Sequence, residues 1–496
     1  MMAGQEHVLI AGGGIAGLGA ALAFGGGTRR ITVLDRDPPP PTGSAEEAFY
    51  NWERRGATQL RHSHAFLGRL TSLIRDRYPE LMKELLAEGT RLFGFEDGLT
   101  PPQMSQYAPA QGDEDLKLLF SRRTTLELVM RRYAARQPGI EFVNDAGVRG
   151  LLSRRQNGKV VVEGLKVERN GVTQDMCADV VVDATGRNTS FPEWLREDGL
   201  TVREESSPCG ILYFTRHYKL RDGQDEPPRD AKAAAGGADL GYIKFGVFIA
   251  DNRHFSVTLA TPEIETELRM AVMKPENFDA ICLAMPGAAR WMNPERAEPV
   301  SQVFAMGNLQ NVWRHYLKDG EPQVLNFFPL GDAAIRTNPL YGRGCSSGVV
   351  EAHLLRAALD ASADPVERAK TYDRELKAAI RPYYDSMAAL DLNAIKRAEQ
   401  ARDPGYKPSL RARITRSFTE DGLMPAQRGD VEVGRALSRV FHMLDEPTAF
   451  LKRPAIVTRI LGYWALSKAE KERRGLYPPK AGPDRAGMLK LLNIAA

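Results

Sequence analysis

The chain has 496 residues, of which 43% are hydrophobic and 26% charged, with 67 Lys and Arg against 63 Asp and Glu. This composition is typical of a globular protein of roughly three structural units and excludes a disordered or collagen-like chain. The formal net charge of +4 is small for this length, and basic residues alternate with acidic ones, so no general nucleic-acid-binding surface is indicated.

The cysteines and the N-terminus exclude further classes of protein. Cys177, Cys209, Cys282 and Cys345 lie far apart and form no C-x-x-C pair, which argues against a zinc site or a disulfide framework. The first residues lack the basic region of a secretory signal, and no stretch approaches the roughly eighteen apolar residues of a spanning helix. We therefore expect a soluble, cytoplasmic protein.

The first segment predicts a strand, a glycine turn, a helix and a second strand. His7–Ala11 is continuously apolar, as in a parallel strand that is buried on both faces. Ile15–Phe24 is small and apolar, which suits a helix packed closely on a sheet, and Ile31–Leu34 predicts the second strand. Together these segments predict a βαβ unit and an α/β fold.

The glycine turn carries a dinucleotide-binding pattern. Gly12–Gly17 satisfies G-x-G-x-x-G between a strand and a helix, as this motif requires. Gly12 permits the tight turn, Gly14 lets the backbone approach a pyrophosphate, and Gly17 permits close packing of helix and strand. The helix opens at Ile15 and Ala16, where free amides would face the anion.

An acidic residue follows at the spacing that the motif predicts. Asp35 ends the second strand, 35 − 12 = 23 residues after Gly12, where an acid accepts hydrogen bonds from ribose hydroxyls. An acid there suits FAD or NAD better than NADP, and the next residue, Arg36, is included in the predicted site. A glycine-rich turn without a nucleotide is the alternative, which the register of strand, helix and acid disfavours.

The remaining elements follow in chain order. The sequence pattern predicts an amphipathic helix at Phe66–Glu88 and a second helix at Leu126–Arg136. It also predicts a hairpin turn at Asn157-Gly158 and a buried strand at Val180–Val182. Between residues 201 and 323, alternating runs at Tyr242–Ala250 and His254–Ala260 flank an Asp251-Asn252 turn and predict an antiparallel sheet. From about residue 365 the chain is mostly helical in pattern.

Three later segments resemble known flavoproteins. DVVVDATGRNTS (Asp179–Ser190) resembles the strand that returns to FAD in glutathione-reductase-like flavoproteins. The stretch Pro329–Gly348 resembles the GD segment of flavoprotein hydroxylases, flavin halogenases and squalene epoxidase, and Ser121–Glu127 is similar to their R-x-x-L-E helix start. The resemblance implies an FAD-binding site at Arg123, Asp183, Gly186, Gly331, Asp332, Gly342, Gly344 and Cys345. In that family the residue at Asp332 binds a ribityl hydroxyl, and the helix after Gly342 faces the flavin pyrimidine edge.

Two further segments are similar to the polyether polyene epoxidases of polyketide pathways. RRGATQLRHSHAFLG (Arg54–Gly68) matches their G-x-P-Q-x-R-H-x-H segment except at Thr58, where those enzymes carry Pro. Ile211–Leu220 resembles their Y-x-x-R strand. The resemblance implies that Arg61 and His62 lie near the flavin ring as catalytic candidates. It fades in the C-terminal region, so no substrate carries over.

The resemblance implies a domain arrangement and an activity. It places a Rossmann-type FAD-binding domain in residues 1–200 and 324–385, an antiparallel-sheet substrate domain in 201–323, and a helical C-terminal region in 386–496. The implied enzyme is an FAD-dependent monooxygenase of secondary metabolism that epoxidises or hydroxylates a hydrophobic small molecule through a flavin C4a-hydroperoxide. Because no second G-x-G-x-x-G is present, NAD(P)H is expected to act transiently at the flavin or through a separate flavin reductase.

Aromatic residues of the second domain are candidates for a substrate wall. The expected substrate residues are Tyr213, Tyr242, Phe248 and Pro339, although core packing is an equally good explanation for any single aromatic. Strand alternation puts Tyr242 and Phe248 on one face and Phe245 on the other. The pair His62-x-His64 lacks a third ligand, so no metal site is predicted.

Other functions remain open on this fold. A flavin halogenase would carry W-x-W-x-I-P, whereas the five tryptophans form no W-x-W. A prenyl-chain reductase of the geranylgeranyl reductase type, or a non-enzymatic escort protein that resembles prenyl-protein escort factors, would not consume O₂. The C-terminal Ile456–Trp464, beside the basic Leu466–Arg474, could rest on a membrane surface, but a helix packed on the protein body is favoured.

Overall fold

The structure, a computed structural model, describes residues 5–228 and 235–494. At its centre lies a parallel sheet, whose first strand is flanked on both sides as in doubly wound folds. Its inner strands carry continuous apolar runs, such as Val8–Ala11 and Val180–Val182, because both faces are buried there. Across the sheet the order is Phe327–Pro329, Val180–Asp183, Glu6–Ala11, Arg29–Leu34 and Ile140–Val143.

The predicted βαβ unit is present at the centre of this sheet. Gly12 has φ +110°, and its amide donates to the carbonyl of Leu34 at 2.8 Å, which closes the turn. The helix Ile15–Phe24 follows. A Cβ on Gly17 would lie 1.8 Å from the Gly12 carbonyl oxygen, so only glycine permits this closeness of turn and helix.

A second sheet covers one side of the parallel sheet. The predicted hairpin turn at Asn157-Gly158 is confirmed, since both residues have positive φ (50° and 75°) as type I′ turns require. Its strands are Ala146–Gln156, Lys159–Arg169, Val172–Cys177 and Val324–Leu325.

The predicted antiparallel sheet of the second domain is confirmed. Its strands are Gly237–Asp239, Lys244–Ile249, His254–Pro262, Ile211–Leu220, Ala297–Pro299 and Phe304–Met306. One face is covered by three short helices, which bury Phe278, Ile281 and Met285 against it. In a smaller sheet Gln310–His315 lies between Arg203–Pro208 and Ile335–Arg336. Two further strand pairs join Leu317–Lys318 to Glu321–Pro322 and Arg91–Phe93 to Leu118–Phe120.

One predicted helix is wrong. The segment predicted as a single helix at Phe66–Glu88 forms two helices, Gly68–Arg77 and Pro79–Ala87. Pro79 disfavours helical geometry in the residue before it, and Tyr78 accordingly has φ −135° and ψ 59°. The apolar spacing that predicted one helix continues across this break.

The C-terminal part is helical, as predicted. Its longest element, the long helix Pro365–Arg402, runs through the position at which the boundary between the FAD-binding and C-terminal regions was predicted. Within the described ranges no helix is long and apolar enough to cross a membrane. The other α-helices are Ala45–Asn51, Pro101–Met104, Arg123–Ala135, Phe191–Glu197, Thr266–Val272, Pro275–Leu283, Pro286–Met292, Gly344–Ala361, Leu410–Ser417, Met424–Gly429, Val431–Phe441, Pro454–Ala465, Lys468–Arg473 and Arg485–Leu491.

Candidate functional site

A cavity of about 940 Å³ lies at the carboxyl edge of the parallel sheet. We call it the sheet-edge cavity. Its walls come from the segments that follow the strands, namely the glycine turn, the end of the second strand, the loop after Val180–Asp183 and the GD segment. Of the residues predicted to bind FAD, those that line it are Gly12, Gly14, Ile15, Ala16, Asp35, Arg36, Arg123, Gly186, Gly331, Asp332, Gly342, Gly344 and Cys345.

Glycines keep part of this cavity open. A Cβ added to Gly14, Gly186 or Gly344 would meet nothing within 4 Å. All three residues line the cavity, so a side chain there would extend into its space. The wall therefore leaves backbone accessible to a ligand, as a dinucleotide cradle requires.

Two helices begin at the cavity. These are Ile15–Phe24 and Gly344–Ala361, and neither has a side-chain hydrogen bond at its N-cap. The first amides of a helix have no partner within the helix and carry partial positive charge. Both N-termini are thus available to negatively charged groups of a ligand.

Two carboxylates face the same space. Asp35 is only 4% exposed, and burial raises its pKa against the opposing charge of Arg54. Burial also raises the pKa of Asp332, with Arg123 opposing it. Within the described ranges the Asp332 carboxylate accepts no hydrogen bond, so its oxygens are available to hydroxyl groups of a ligand.

The sequence analysis missed Arg54. Its guanidinium is buried and lies 3.2 Å from Asp35, 3.1 Å from Asp37 and 3.1 Å from Glu127, measured between nitrogen and carboxylate oxygen. It also donates to the Gly13 carbonyl at 3.2 Å, which ties this charge cluster to the glycine turn. The only sequence signal was its place at the start of the segment that suggested Arg61 and His62.

Arg61 and His62 have different positions relative to the cavity. Arg61, predicted near the flavin ring, does not line the cavity, because its guanidinium donates to the carbonyls of Phe49 and Tyr50. His62 does line it, and its Nδ1 is 3.1 Å from the Thr215 hydroxyl. That hydroxyl lies 2.8 Å from Thr258, so hydrogen-bonded hydroxyls hold the imidazole against the antiparallel sheet.

His64 orients Arg123 toward the cavity. The Nδ1 of His64 lies 2.8 Å from the His62 carbonyl, which can only accept, so Nδ1 carries the proton. Nε2 is then free to accept from Arg123 at 3.1 Å. Burial, with the charge of Arg123, lowers the pKa of His64 well below its ordinary value. A neutral His64 is therefore a positioning residue for Arg123.

Two predicted cofactor residues lie outside the cavity wall. Gly17 is buried under the glycine turn, where it allows the close packing described above. The Asp183 carboxylate is fully buried and accepts from the hydroxyls of Thr185 and Thr189, both at 2.6 Å. Asp183 thus shapes the loop that carries Gly186 and does not face the cavity.

The other end of the sheet-edge cavity has a more apolar wall. Tyr213, Phe248 and Pro339, predicted as substrate residues, line it with Met306, Leu309, Leu340 and Phe441. The Tyr213 hydroxyl is not free, because it donates to Asn338, whose amide donates to the buried Asp391 at 2.8 Å. This network fixes the turn that contains Pro339.

Tyr242 lies elsewhere. The strand begins at Lys244, so Tyr242 precedes it and strand alternation does not govern its direction. Its hydroxyl donates to the Pro483 carbonyl at 2.9 Å, and its ring lines a different cavity. Phe245 packs in the apolar core on the helix-covered face of the sheet, opposite to Phe248 as strand alternation predicts, although both residues contribute to the wall of the sheet-edge cavity. In the described ranges no cluster of three or more His, Cys, Asp or Glu side chains could hold a metal ion.

The burial of His62 should make the stability of the protein depend on pH. Burial lowers its pKa from 6.5 to about 4, so the unfolded chain takes up a proton at higher pH than the folded one. Stability is therefore complete above the unfolded pKa and falls as the pH drops toward about 4, by about 2–3 kcal/mol for this one group. We expect His62→Gln to lose correspondingly less stability than wild type in urea unfolding between about pH 7 and about pH 4.5. Parallel pH profiles of the two proteins would contradict this expectation.

The structural comparisons with known proteins agree on the fold of this chain. No family model matches the chain. Protein Rv3254 of Mycobacterium tuberculosis is 25% identical over 378 residues, covering 72% of this chain and 73% of that protein. The flavin-dependent brominase Bmp2 matches with a TM-score of 0.58 at 15% identity, over 94% of this chain and all (100%) of that chain. OxyS anhydrotetracycline hydroxylase from Streptomyces rimosus matches with a TM-score of 0.52 at 18% identity, over 89% of this chain and 76% of that chain. At these identities the structural matches show a shared fold.

Proposed function

We propose that this chain, which has the fold of FAD-dependent monooxygenases and halogenases, binds FAD in the sheet-edge cavity and transfers one oxygen atom from O₂ to a hydrophobic small molecule. The observation that carries the proposal is the meeting of Gly14, Asp35, Asp332 and the Gly344 helix N-terminus at one cavity with a more apolar far end. Epoxidation and hydroxylation are the two reactions of this class that we propose.

The polar groups of the sheet-edge cavity match the successive parts of FAD. Asp35 would accept from the adenosine ribose, and the Ile15 N-terminus would hold the diphosphate. Asp332 would accept from a ribityl hydroxyl, since its carboxylate has no hydrogen bond from the described residues. The Gly344 N-terminus would stabilise negative charge on the flavin, as an uncapped helix end does.

Bound FAD would supply the activation of O₂, and the residues of this chain would bind, orient and exclude water. Arg123, held by His64 and Glu127, keeps a fixed positive charge at the cavity wall. His62 is neutral at pH 7 because burial lowers its pKa to about 4, so it offers a hydrogen bond without a charge. Tyr213, Phe248 and Pro339 would form the wall against which an apolar substrate lies.

Two measurements test this proposal in sequence. Protein purified without added cofactor should release FAD on denaturation, in about one equivalent by chromatography. Incubation of the holoprotein under ¹⁸O₂, with NADH or NADPH and with or without a flavin reductase, should then give one labelled oxygen in the product of an apolar substrate panel. Absence of FAD, or a product that is reduced without label, would refute it.

Halogenation is the second candidate. The match to a brominase along nearly the whole chain favours it. Running the same assay with bromide separates the two functions, because a halogenase would yield a brominated product without label from ¹⁸O₂.

A further inference from the structure

A second cavity, of about 1130 Å³, lies between the C-terminal helices and the antiparallel sheet. We call it the C-terminal cavity. It meets the sheet-edge cavity at Phe441, whose ring lines both. Ligand pockets commonly have about 300–1,000 Å³, so this volume is a full binding space in addition to the one assigned to FAD.

The wall of the C-terminal cavity is largely apolar. It contains aromatic and aliphatic side chains from four separate parts of the chain, namely Phe93, Phe95, Leu116, Leu240, Tyr242 and Phe441. Phe441 is 47% exposed although it lies at the end of a helix that packs inward, so its ring faces open space at the junction. An apolar molecule would therefore cover it.

Every acidic side chain of this wall already has a partner. Glu265 pairs with Arg402 at 2.7 Å and with Arg485 at 3.0 Å, so both of these cations have a carboxylate partner. Asp239 pairs with Lys244, and Asp484 accepts from the Gly487 amide at 2.8 Å. None of these acids pairs with Arg428 in the part of the chain that the structure describes.

Arg428 is a half-buried cation of the same wall, and its surroundings differ from those of Arg402 and Arg485. Within the described ranges its guanidinium has no carboxylate partner, and its buried Nε has no hydrogen-bond partner. Burial lowers the pKa of this guanidinium, yet arginine remains charged at neutral pH. A half-buried guanidinium whose Nε has no partner can gain a charged hydrogen bond, and an anion from a ligand would supply the acceptor.

We propose that the C-terminal cavity binds the distal part of an elongated amphipathic substrate, whose carboxylate or similar anionic group pairs with Arg428. The apolar end of the substrate passes Phe441 and reaches the sheet-edge cavity. One part of this inference rests on the proposed function, namely that the apolar end of the substrate is the part that reacts. Charge recognition at Arg428 does not depend on FAD.

Calorimetric titration of the protein as purified with decanoate and with 1-decanol tests the charge. Because a charged hydrogen bond contributes about 1.5–3 kcal/mol, decanoate should bind at least about tenfold more tightly than decanol. Arg428→Gln should erase this preference, and Arg428→Lys should retain part of it. Equal affinities in wild type, or a preference that survives in Arg428→Gln, would overturn the proposal.

Arg402→Gln is the matched control. It removes a cation from the same wall, but one that is already paired with Glu265, and Arg485 remains with that glutamate. The ratio of decanoate to decanol affinity should therefore stay as in wild type. A loss of preference as large as that of Arg428→Gln would mean that general positive potential, and not Arg428, recognises the anion. If Arg428→Gln does not fold, Arg428→Lys decides the question, because an undiminished preference in that variant would overturn the proposal.

The junction is tested in the FAD-loaded protein. Hexadecanoate, which is long enough to extend beyond Phe441, should perturb the visible flavin absorption. Phe441→Trp, which enlarges the ring at the junction, should weaken that perturbation while leaving the decanoate preference intact. An unchanged flavin spectrum in wild type would refute the connection between cavities. If the protein binds no FAD, the proposed function fails, while the decanoate preference still stands or falls separately.

Discussion

A valine in place of Gly14 is expected to leave the fold intact and to weaken FAD binding by a factor of about 100 or more. Gly14 has φ −82° and ψ −173°, an extended conformation that valine adopts readily. A Cβ there meets nothing within 4 Å in the protein, so the added side chain costs no internal contact. It fills the place where the backbone would approach the diphosphate. Fluorescence titration of the apoprotein with FAD measures the affinity.

Gly462→Val is the control for this substitution. Gly462 lies on the exposed side of the helix Pro454–Ala465, also with no atom within 4 Å of an added Cβ, and it does not line the sheet-edge cavity. The Gly462→Val variant should retain wild-type FAD affinity. Its stability should change only by the small difference in helix propensity between valine and glycine. Undiminished affinity in Gly14→Val would place the dinucleotide elsewhere.

Replacing Arg54 by methionine is expected to destabilise the protein by about 3–5 kcal/mol. The substitution leaves three buried carboxylates, Asp35, Asp37 and Glu127, without the cation that lies within 3.2 Å of each of them. Uncompensated buried charge is the reason for the size of the effect. Urea unfolding of the FAD-free protein measures it.

The loss of stability in Arg54→Met should depend on pH with a defined sign. Burial already raises the pKa of Asp35, and Arg54 is the main opposing influence, so its removal raises that pKa further. The folded variant then binds more protons than its unfolded chain, and its stability falls as pH rises between the two pKa values. The variant should thus recover part of its stability on acidification. Arg154→Met, which breaks an exposed pair with Glu163, should cost no more than about 1 kcal/mol at any pH.

Local patterns predicted the parallel sheet and its glycine turn well, because their information lies in consecutive residues. Apolar runs on both sides of Gly12–Gly17 fix two neighbouring strands, and Gly12, Gly13 and Gly17 each have a steric reason in the structure. The GD segment was found by resemblance, and Asp332 lies at the same cavity as Gly14 and Asp35. Convergence at a sheet edge follows from parallel topology.

The errors have a different origin, since they concern side-chain direction and contacts between distant segments. Arg54 and Arg61 occur in one short segment, and only the packing of Phe49 and Asp35 determines which guanidinium faces the cavity. Tyr242 was assigned to a strand that starts two residues later. The C-terminal cavity could not be predicted, because its wall joins segments more than 300 residues apart, such as Phe93 and Arg428.

The long helix Pro365–Arg402 restricts how this protein can be dissected. Near its start the Tyr372 hydroxyl donates to the Pro329 carbonyl at 3.2 Å, Asp391 farther along holds the turn before Pro339, and Arg402 at its end reaches Glu265 at 2.7 Å. A fragment that stops near residue 385 would keep the first of these attachments and discard the other two. A truncated protein for crystallisation, or a chimera with a relative, must therefore retain this whole helix. Without it, the contacts at both ends of the proposed substrate path would be lost at once.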